Sequence, residues 1–366
     1  MAGGYPPVPF QIYKKGSTIT THQRIILILL LFAGFTLGVC LDPAPKYLCA
    51  EEAGGIREAV ETWLKTERKI TISARELFNL LTDEKPANDP FVIDLRQLDS
   101  PLPNIYTTAH LPGALNIPWR SILKQEALDT LPRDRQIVVY CYNGHIGRQI
   151  ATLLSLLGHN VSNLEWGFTS WVCDPLTAPG QYVEKEDCRP FPVEAIKRET
   201  EPNQAPPLMK KSGSSIRDMI RSLGDIWVSS NKTGEISNEE LYNQLMDTDI
   251  RSEPFVVDVR RPDDYNRGHI RGAVNIFWKD VAKYENLRRL PADRKIIVCG
   301  HTGGDEAASI TAILNLLGYD AVNLRWGMTS WTYNKKIAPV RYEKTTDCLD
   351  LPFVRGFSPS STLSVY

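Results

Sequence analysis

An internal repeat is the feature that most constrains how this chain folds. The segment Asn163-Leu-Glu-Trp-Gly-Phe-Thr-Ser-Trp171 recurs as Asn323-Leu-Arg-Trp-Gly-Met-Thr-Ser-Trp331. The segment His110-Leu-Pro-Gly-Ala-Leu-Asn-Ile117 likewise recurs from His269. The spacing of these copies is that of a domain and far exceeds the unit of a solenoid. For a chain of 366 residues, the repeat predicts two duplicated domains.

Each copy alternates short apolar runs with amphipathic segments. In the first copy, Ile146–Leu157 has helical spacing and Gly158 ends it with a residue that tolerates left-handed backbone. Ser73, with Glu76 three residues on, predicts a capped helix start. Three runs are predicted strands: 91–94, 136–140 and 160–164. This alternation predicts an α/β fold with a parallel sheet between helices, whose ligands bind at the carboxyl ends of the strands.

The N-terminal region has a different character. Residues 25–41 carry no charge, Lys14, Lys15 and Arg24 precede them, and Asp42 follows. This charge order favours transfer of the following chain away from the cytoplasm. A run of 17 residues fits both a short membrane-spanning helix and a long signal-peptide core. Residues 1–50 are therefore predicted to be a signal peptide or membrane anchor. The protein is expected to be exported, extracytoplasmic or membrane-anchored, with membrane association through residues 25–41 if they are not cleaved.

Charge and cysteine content limit the function classes. A formal net charge of −1 gives no basic footprint, so no nucleic-acid partner is expected. Seven cysteines in so long a chain do not form a disulfide scaffold, although an oxidising compartment permits one bridge. Cys188 and Cys348 recur at equivalent places, and a bridge between them and two free thiols are both open. Cys173, beside Trp171, is expected to pack in the core.

One strand-to-helix corner carries a candidate nucleophile. The second predicted strand runs into Cys141, and the chain then enters the helix through Tyr142-Asn-Gly-His-Ile-Gly-Arg148. Amide groups in such a corner and the positive end of the helix favour a thiolate, which is the reactive form of cysteine. Gly144 and Gly147 allow the amides to point inward, and His145 is expected to add a donor or a positive charge. The alternative is that Cys141 is a small buried residue.

Both copies resemble rhodanese (sulfurtransferase) domains. The resemblance rests on four motifs in order: Asp94-Leu-Arg96, His110-Leu-Pro-Gly-Ala-Leu-Asn-Ile-Pro118, the Cys141 loop, and the tryptophan motif 163–171. It implies two domains, each a five-stranded parallel sheet flanked by helices, preceded by the hydrophobic segment. The implied limits are an active-type domain at 66–195, a linker at 196–231, a degenerate domain at 232–352 and a tail at 353–366. A short helix is predicted from Ser215 to Trp227.

The resemblance also implies a chemistry. Cys141 would take a sulfane sulfur from a small donor such as thiosulfate, become a persulfide, and pass the sulfur to a thiophilic acceptor, with no cofactor and no metal. The implied substrate-binding loop is Tyr142, Asn143, Gly144, His145, Ile146, Gly147 and Arg148, and Arg96 is a possible support whose first role is to pair charge at the sheet end. Ile146 stands where many family loops hold a basic residue, so the substrate preference does not carry over.

Other functions stay open. Glycine at position 147, where a cysteine phosphatase needs its arginine, disfavours phosphoryl transfer. A non-catalytic persulfide carrier, sensor or partner-binding module remains the alternative to an enzyme.

The second copy has lost the loop pattern. The spacing between equivalent residues grows by one across its loop, so Gly300 aligns with Cys141 and Cys299 with Tyr140. A side chain moved by one position on a strand faces the opposite side of the sheet. Asp305 and Glu306 near the helix start would repel an anionic substrate and favour the helix end. The second domain is therefore predicted to be non-catalytic, with a shifted register that makes Cys299 active as the alternative. His301 and Asp305 are expected to lie in a solvated turn, and this interpretation is preferred to a metal site formed by the two residues.

Overall fold

The computed structural model describes residues 50–66, 69–97, 105–202, 204–209, 213–230, 232, 234–247 and 253–356. Twelve short strands lie within these ranges. The strands are β1 Thr71–Ile72, β2 Phe91–Asp94, β3 Leu115–Asn116, β4 Ile137–Tyr140, β5 Val161–Leu164, β6 Val193–Glu194, β7 Glu235–Ile236, β8 Phe255–Asp258, β9 His269–Ile270, β10 Val274–Asn275, β11 Ile296–Cys299 and β12 Ala321–Leu324.

Two five-stranded parallel sheets organise these strands. The first has the order β1-β5-β4-β2-β3, and the second has the same order when read from β7 to β10. The central strands β4 and β11 are buried along their whole length, as their unbroken apolar sequences require. The predicted fold of two sheets flanked by helices is confirmed, and the strand predicted at 91–94 has those bounds. We call the units built on these sheets the first and second domains.

Helices cover both faces of the sheets, and their starts follow local rules. Ser73 and Glu76 form the predicted capping box, and Gly158 adopts the expected positive φ of 82°. The α-helices are Ala50–Lys65, Ala74–Thr82, Ile105–Thr108, Gln125–Leu128, His145–Leu156, Glu184–Asp187, Ile216–Val228, Asn238–Met246, Pro262–Arg267, Tyr284–Leu287, Glu306–Leu316, Gly327–Trp331 and Lys344–Asp347. Single 3₁₀ turns lie at Pro86–Asn88, Gly167–Ser170 and Trp278–Asp280.

The two domains share one apolar core. The helices that follow the two central strands pack against each other, and Leu153, Leu154, Ile310 and Ile313 are all buried in the same cluster. The helix Ile216–Val228, which matches the helix predicted near Ser215–Trp227, packs against both. Burying such side chains contributes roughly 1.5–3 kcal/mol each. The domains are therefore held face to face by their central helices.

The segments that leave each domain cross to the other one. Residues 188–196, here the first strap, lie on the second domain, where Trp331 donates its indole N–H to Pro192 and β6 pairs with β9. Residues 348–356, the second strap, lie on the first domain, where Trp171 donates to Pro352 over 2.7 Å. The exchange is reciprocal, and each strap covers the apolar face of the opposite domain. Trp171 and Trp331 are both buried where the straps cross.

A disulfide fastens the second strap to the first domain. It joins Cys173 to Cys348, with Cα atoms 5.7 Å apart. Cys188 is free and buried. Neither alternative for this pair is therefore present, since Cys188 is free and Cys348 is bonded elsewhere, and the packing role predicted for Cys173 was wrong. The exchange of straps explains this pairing, because it brings Cys348 to the first domain. In the second domain the residue equivalent to Cys173 is Tyr333, which cannot form a disulfide with Cys188. Its hydroxyl donates instead to the Cys188 carbonyl over 2.7 Å.

The predicted signal or anchor in residues 25–41 lies outside the described residues, as does the tail beyond residue 356. Within the described ranges, no helix combines the length and apolar character needed to cross a membrane.

Candidate active site

The Cys141 corner lies where the central strand of the first sheet ends. Cys141 follows Tyr140 directly and is 4% exposed. Its Sγ accepts amide hydrogen bonds that include those from Gly144 at 3.2 Å and from Gly147 at 3.3 Å. Gly144 has a φ of 90°, which turns its N–H toward the sulfur. The corner therefore aims fixed donors at one sulfur atom.

The corner is closed by a neighbouring turn at very short range. Gly167 has a φ of 57°, and a Cβ there would lie 2.6 Å from the Cys141 carbonyl oxygen. A Cβ on Gly147 would lie 2.1 Å from Oδ1 of Asn163. Asn163 in turn donates to the Gly144 carbonyl over 3.0 Å. The tryptophan motif of the repeat thus forms the back wall of the cysteine loop, and glycine is required where the two meet.

The charge state of the thiol departs from expectation. Burial raises the pKa of Cys141, and the carboxylate of Glu235 raises it further. Amide hydrogen bonds from Gly147, Asn143 and Gly144 lower the pKa, but not enough to offset burial. The prediction that the corner alone keeps this sulfur ionised was wrong, because the shared core covers it and the opposing charge comes from the second domain.

A cavity of about 440 Å³ opens beside the thiol and is lined by both domains. The first domain contributes Trp119 and Arg120 to its wall, and the second contributes Glu235 and Arg325. The Arg325 Nε has no hydrogen-bond partner among the described residues. Arg120 instead donates to the Val228 carbonyl and its neighbours near the end of the helix 216–228. The cavity therefore offers a cation with an uncommitted donor close to a buried cysteine.

The residues of the predicted loop divide into two groups. Tyr142, Asn143 and Ile146 line the cavity. His145 and Arg148 turn toward the second domain. The His145 Nδ1 donates a hydrogen bond to the Glu235 carboxylate, and Arg148 donates to Ser309 over 2.9 Å.

Arg96 holds the edge of the cavity from within the fold. Its guanidinium pairs with Asp94 at 2.6 Å and lies 4.2 Å from the centre of the Phe168 ring. Burial opposes its charge, but Asp94 outweighs burial, so the pKa of Arg96 is raised. Tyr140 donates its hydroxyl to Asp94 over 2.7 Å. Arg96 thus pairs charge at the sheet end, as predicted, and also contributes to the cavity wall.

The second domain has the same corner, filled by its own carboxylate. A Cβ on Gly300, the residue aligned with Cys141, would lie 2.4 Å from an Asp305 carboxylate oxygen. Asp305 accepts hydrogen bonds from the amides of His301 at 2.5 Å, Thr302 at 3.2 Å and Ala307 at 3.1 Å. An intramolecular anion therefore occupies the place that the sulfur holds in the first domain.

Cys299 lies on the opposite side of its sheet. It pairs with Asp258 across the strands, as Tyr140 pairs with Asp94. Its side chain packs in the outer core of the second domain, whereas Cys141 belongs to the core shared by both. Burial raises the pKa of Cys299 well above that of an ordinary thiol. The predicted alignment of Cys299 with Tyr140 is confirmed, and the shifted register that would make Cys299 reactive is not present.

His110 has a packing and hydrogen-bonding role: its ring stacks on Tyr106, and its Nδ1 donates to the Tyr106 carbonyl oxygen over 2.8 Å. In the part of the chain that the structure describes, no group of three or more histidine, cysteine or acidic side chains is placed to hold a metal ion.

The model of the rhodanese-like domain matches residues 73–173 and again 237–334. The chain belongs to the rhodanese-like family. This family is related to sulfur transfer, which agrees with a cysteine at the carboxyl end of the central strand. No curated protein matches the chain.

Several solved structures are similar to rhodanese-like segments of this chain. A rhodanese-like domain protein from Staphylococcus aureus is 23% identical over 28% of this chain and 91% of its own, with a TM-score of 0.24. A rhodanese-related protein from Thermoplasma volcanium is 26% identical over 28% of this chain and 88% of its own, with a TM-score of 0.23. A thiosulfate sulfurtransferase from Pseudomonas aeruginosa is 17% identical over 74% of this chain and 45% of its own, with a TM-score of 0.29. At such TM-scores these likenesses add nothing to the family assignment.

Sequence reasoning missed the contribution of the second rhodanese-like domain. One signal was visible, because the repeat exchanges Glu165 for Arg325 at the same place in the tryptophan motif. Arg325 faces the Cys141 corner, whereas Glu165 faces the corner filled by Asp305. At this position of the motif, therefore, the crevice with the cysteine has an arginine and the other crevice has a glutamate.

Proposed function

We propose that this rhodanese-like protein is a sulfurtransferase that carries sulfane sulfur on Cys141. The observation that carries the proposal is the pair of amide N–H groups of Gly144 and Gly147 aimed at Sγ in a cavity that also holds Arg325. Donors held in place before charge develops on an atom stabilise that charge without reorganisation. The partners are a small anionic sulfur donor and a thiophilic acceptor.

The first half-reaction is a displacement at sulfur. The Cys141 thiol loses its proton to the solvent, and the thiolate forms a bond to the outer sulfur of the donor. The sulfur–sulfur bond of the donor breaks, and with thiosulfate its electron pair leaves on sulfite. Cys141 is left as a persulfide anion, which the two amides stabilise. Arg325 binds the anionic part of the donor. An acceptor such as cyanide or a thiolate then attacks the outer sulfur and regenerates the Cys141 thiolate.

The test measures the sulfur adduct and its turnover separately. The full chain is incubated with thiosulfate, with polysulfide and with an alkyl persulfide, and the peptide containing Cys141 is weighed by mass spectrometry. We expect a gain of one sulfur atom on Cys141, none in Cys141→Ser, and an unchanged gain in the control Cys299→Ser. Thiocyanate formed from cyanide reports turnover. A chain that gains no sulfur from any of the three donors contradicts the proposal.

A second candidate is a non-catalytic persulfide carrier, sensor or partner-binding module. The low exposure of Cys141 and the raised pKa of its thiol favour it, because both slow attack on a donor. A stable adduct without turnover supports a carrier. A reactive thiol that gains no sulfur supports a sensor, and an unreactive thiol supports a binding module.

We also propose that the protein is exported or membrane-anchored through residues 25–41. The disulfide between Cys173 and Cys348 supports this, because such bonds persist mainly in oxidising compartments. Membrane fractionation followed by protease digestion of intact cells or vesicles tests it. The proposal is contradicted if the rhodanese-like domains are degraded only when the protease is given access to the cytoplasmic side of the membrane.

A further inference from the structure

The second domain reaches the Cys141 corner through one acidic residue. Glu235 is the first residue of β7, and its carboxylate accepts a hydrogen bond from Nδ1 of His145. The His145 side chain is fully buried, whereas that of Glu235 is 23% exposed and lines the cavity beside Cys141. A hydrogen bond to a fully buried side chain holds that side chain in place, because leaving a buried polar group without a partner is costly.

The position of His145 is coupled to the groups that bind the thiol. His145 follows Gly144, whose amide donates to Sγ, and the His145 amide donates to the Asn143 side chain over 3.3 Å. The His145 ring packs edge-on against Trp326 of the second domain, with ring centres 4.5 Å apart. A second tether lies one helical turn on, where Gln149 donates to the Gly234 carbonyl over 3.2 Å. Residues at the start of β7 therefore hold the first turns of the helix 145–156 in place through hydrogen bonds, next to the amides that bind the sulfur.

The pseudo-equivalent crevice lacks this acid. Glu235 pairs with Asn323 as Thr71 pairs with Asn163, so Thr71 holds the matching place in the first domain. Thr71 has no charge and bonds Arg148 instead of a histidine. The acid is thus present only opposite the corner that keeps its cysteine, and the fold tolerates a small uncharged residue at this position.

We propose that Glu235 is a positioning residue of the Cys141 site, which anchors His145 and sets a fixed negative charge beside the thiol, so that the second domain controls the reactivity of the cysteine in the first. The degenerate domain thereby has a role in the site without a nucleophile of its own. The other charged groups around the thiol are Arg120, Arg325 and the Arg96–Asp94 pair, which the change at Glu235 leaves in place. The direction of the effect agrees with the pKa of Cys141, which Glu235 raises.

The test follows the rate of alkylation of Cys141 against pH in the full chain. The reagent is iodoacetamide, which is neutral and is not steered by cavity charges, and the readout is the mass of the peptide with Cys141. Glu235→Gln removes the charge and keeps an acceptor for His145. We expect the midpoint of its pH profile to move down, with alkylation at pH 7 roughly three- to tenfold faster, as a shift of half to one pKa unit gives.

Controls separate position from packing. Glu239→Gln changes an exposed acid of the next helix, which pairs with Arg189, and should leave the profile unchanged. Glu235→Thr copies the residue at the matching place of the first domain and should also lower the midpoint, which provides a second measurement should Glu235→Gln fail to fold. Superimposable profiles of wild type and a folded Glu235 variant overturn the proposal, as does an equal shift in Glu239→Gln. The proposal extends the proposed function, but alkylation needs no sulfur donor, so either can fail alone.

Discussion

Breaking the bond between Cys173 and Cys348 should cost the protein much of its stability. The bond closes a loop with a sequence separation of 175 residues. In the chain-entropy model, a loop of this length restricts the unfolded chain by about 5 kcal/mol, and measured losses on removing native disulfides are about 2–5 kcal/mol. We expect Cys173→Ala to lower the free energy of unfolding by an amount in that range.

Denaturant unfolding with and without dithiothreitol measures this loss. Reductant should lower the wild-type midpoint to that of Cys173→Ala and leave the variant where it is. Cys188→Ala is the matched control, because Cys188 is buried but unpaired, and its midpoint should still respond to reductant. The reasoning is refuted if Cys173→Ala keeps its response to reductant while Cys188→Ala loses it, since Cys188 would then be the partner of Cys348.

Three further changes test the corners and the core. Gly167→Ala should lower the free energy of unfolding by roughly 3 kcal/mol or more, because the new Cβ would lie 2.6 Å from the Cys141 carbonyl oxygen. Gly113 also has a positive φ but has open space around it, so Gly113→Ala should cost only about 1 kcal/mol. Equal losses for the two variants in thermal or denaturant unfolding contradict this prediction. Asp305→Ala removes the acceptor of three amides and should cost about 2–4 kcal/mol, against little change for Glu306→Gln; a neutral Asp305→Ala contradicts the filled corner. Burial, together with the charges of Arg133 and Arg217, lowers the pKa of His159 to about 4. As the pH drops from 6.5 to 4, the unfolded chain therefore binds this proton before the folded chain does. The free energy of unfolding should fall over this range by at most about 3 kcal/mol. His159→Gln should flatten the dependence of the free energy of unfolding on pH across this range. An unchanged dependence in the variant means that another group causes the effect.

Local rules predicted the elements that depend on neighbours in sequence. The capping box at Ser73 and Glu76, the end of the helix at Gly158 and the alignment of Cys299 with Tyr140 all follow from spacing alone. Each is decided within a few residues or by the two-residue period of a strand, so the sequence carries the information directly.

The failures came from contacts between the domains. The thiol of Cys141 was expected to be ionised because its own loop supplies amides, but burial in the shared core and the charge of Glu235 oppose this. Only a bridge between the equivalent cysteines Cys188 and Cys348 was considered, beside free thiols, because the repeat draws attention to equivalent positions. The exchange of straps instead joins non-equivalent ones, Cys173 and Cys348. A repeat shows which parts match, but does not show which parts touch.

The reciprocal straps also determine when the first domain can be completed during synthesis. Its outer core is covered by Leu349, Leu351 and Phe353, which lie near the end of the chain. A ribosome must therefore release the second domain as well before the face around Trp171 is covered. Until then the nascent first domain exposes apolar surface, because the strap that covers its outer core follows the second domain.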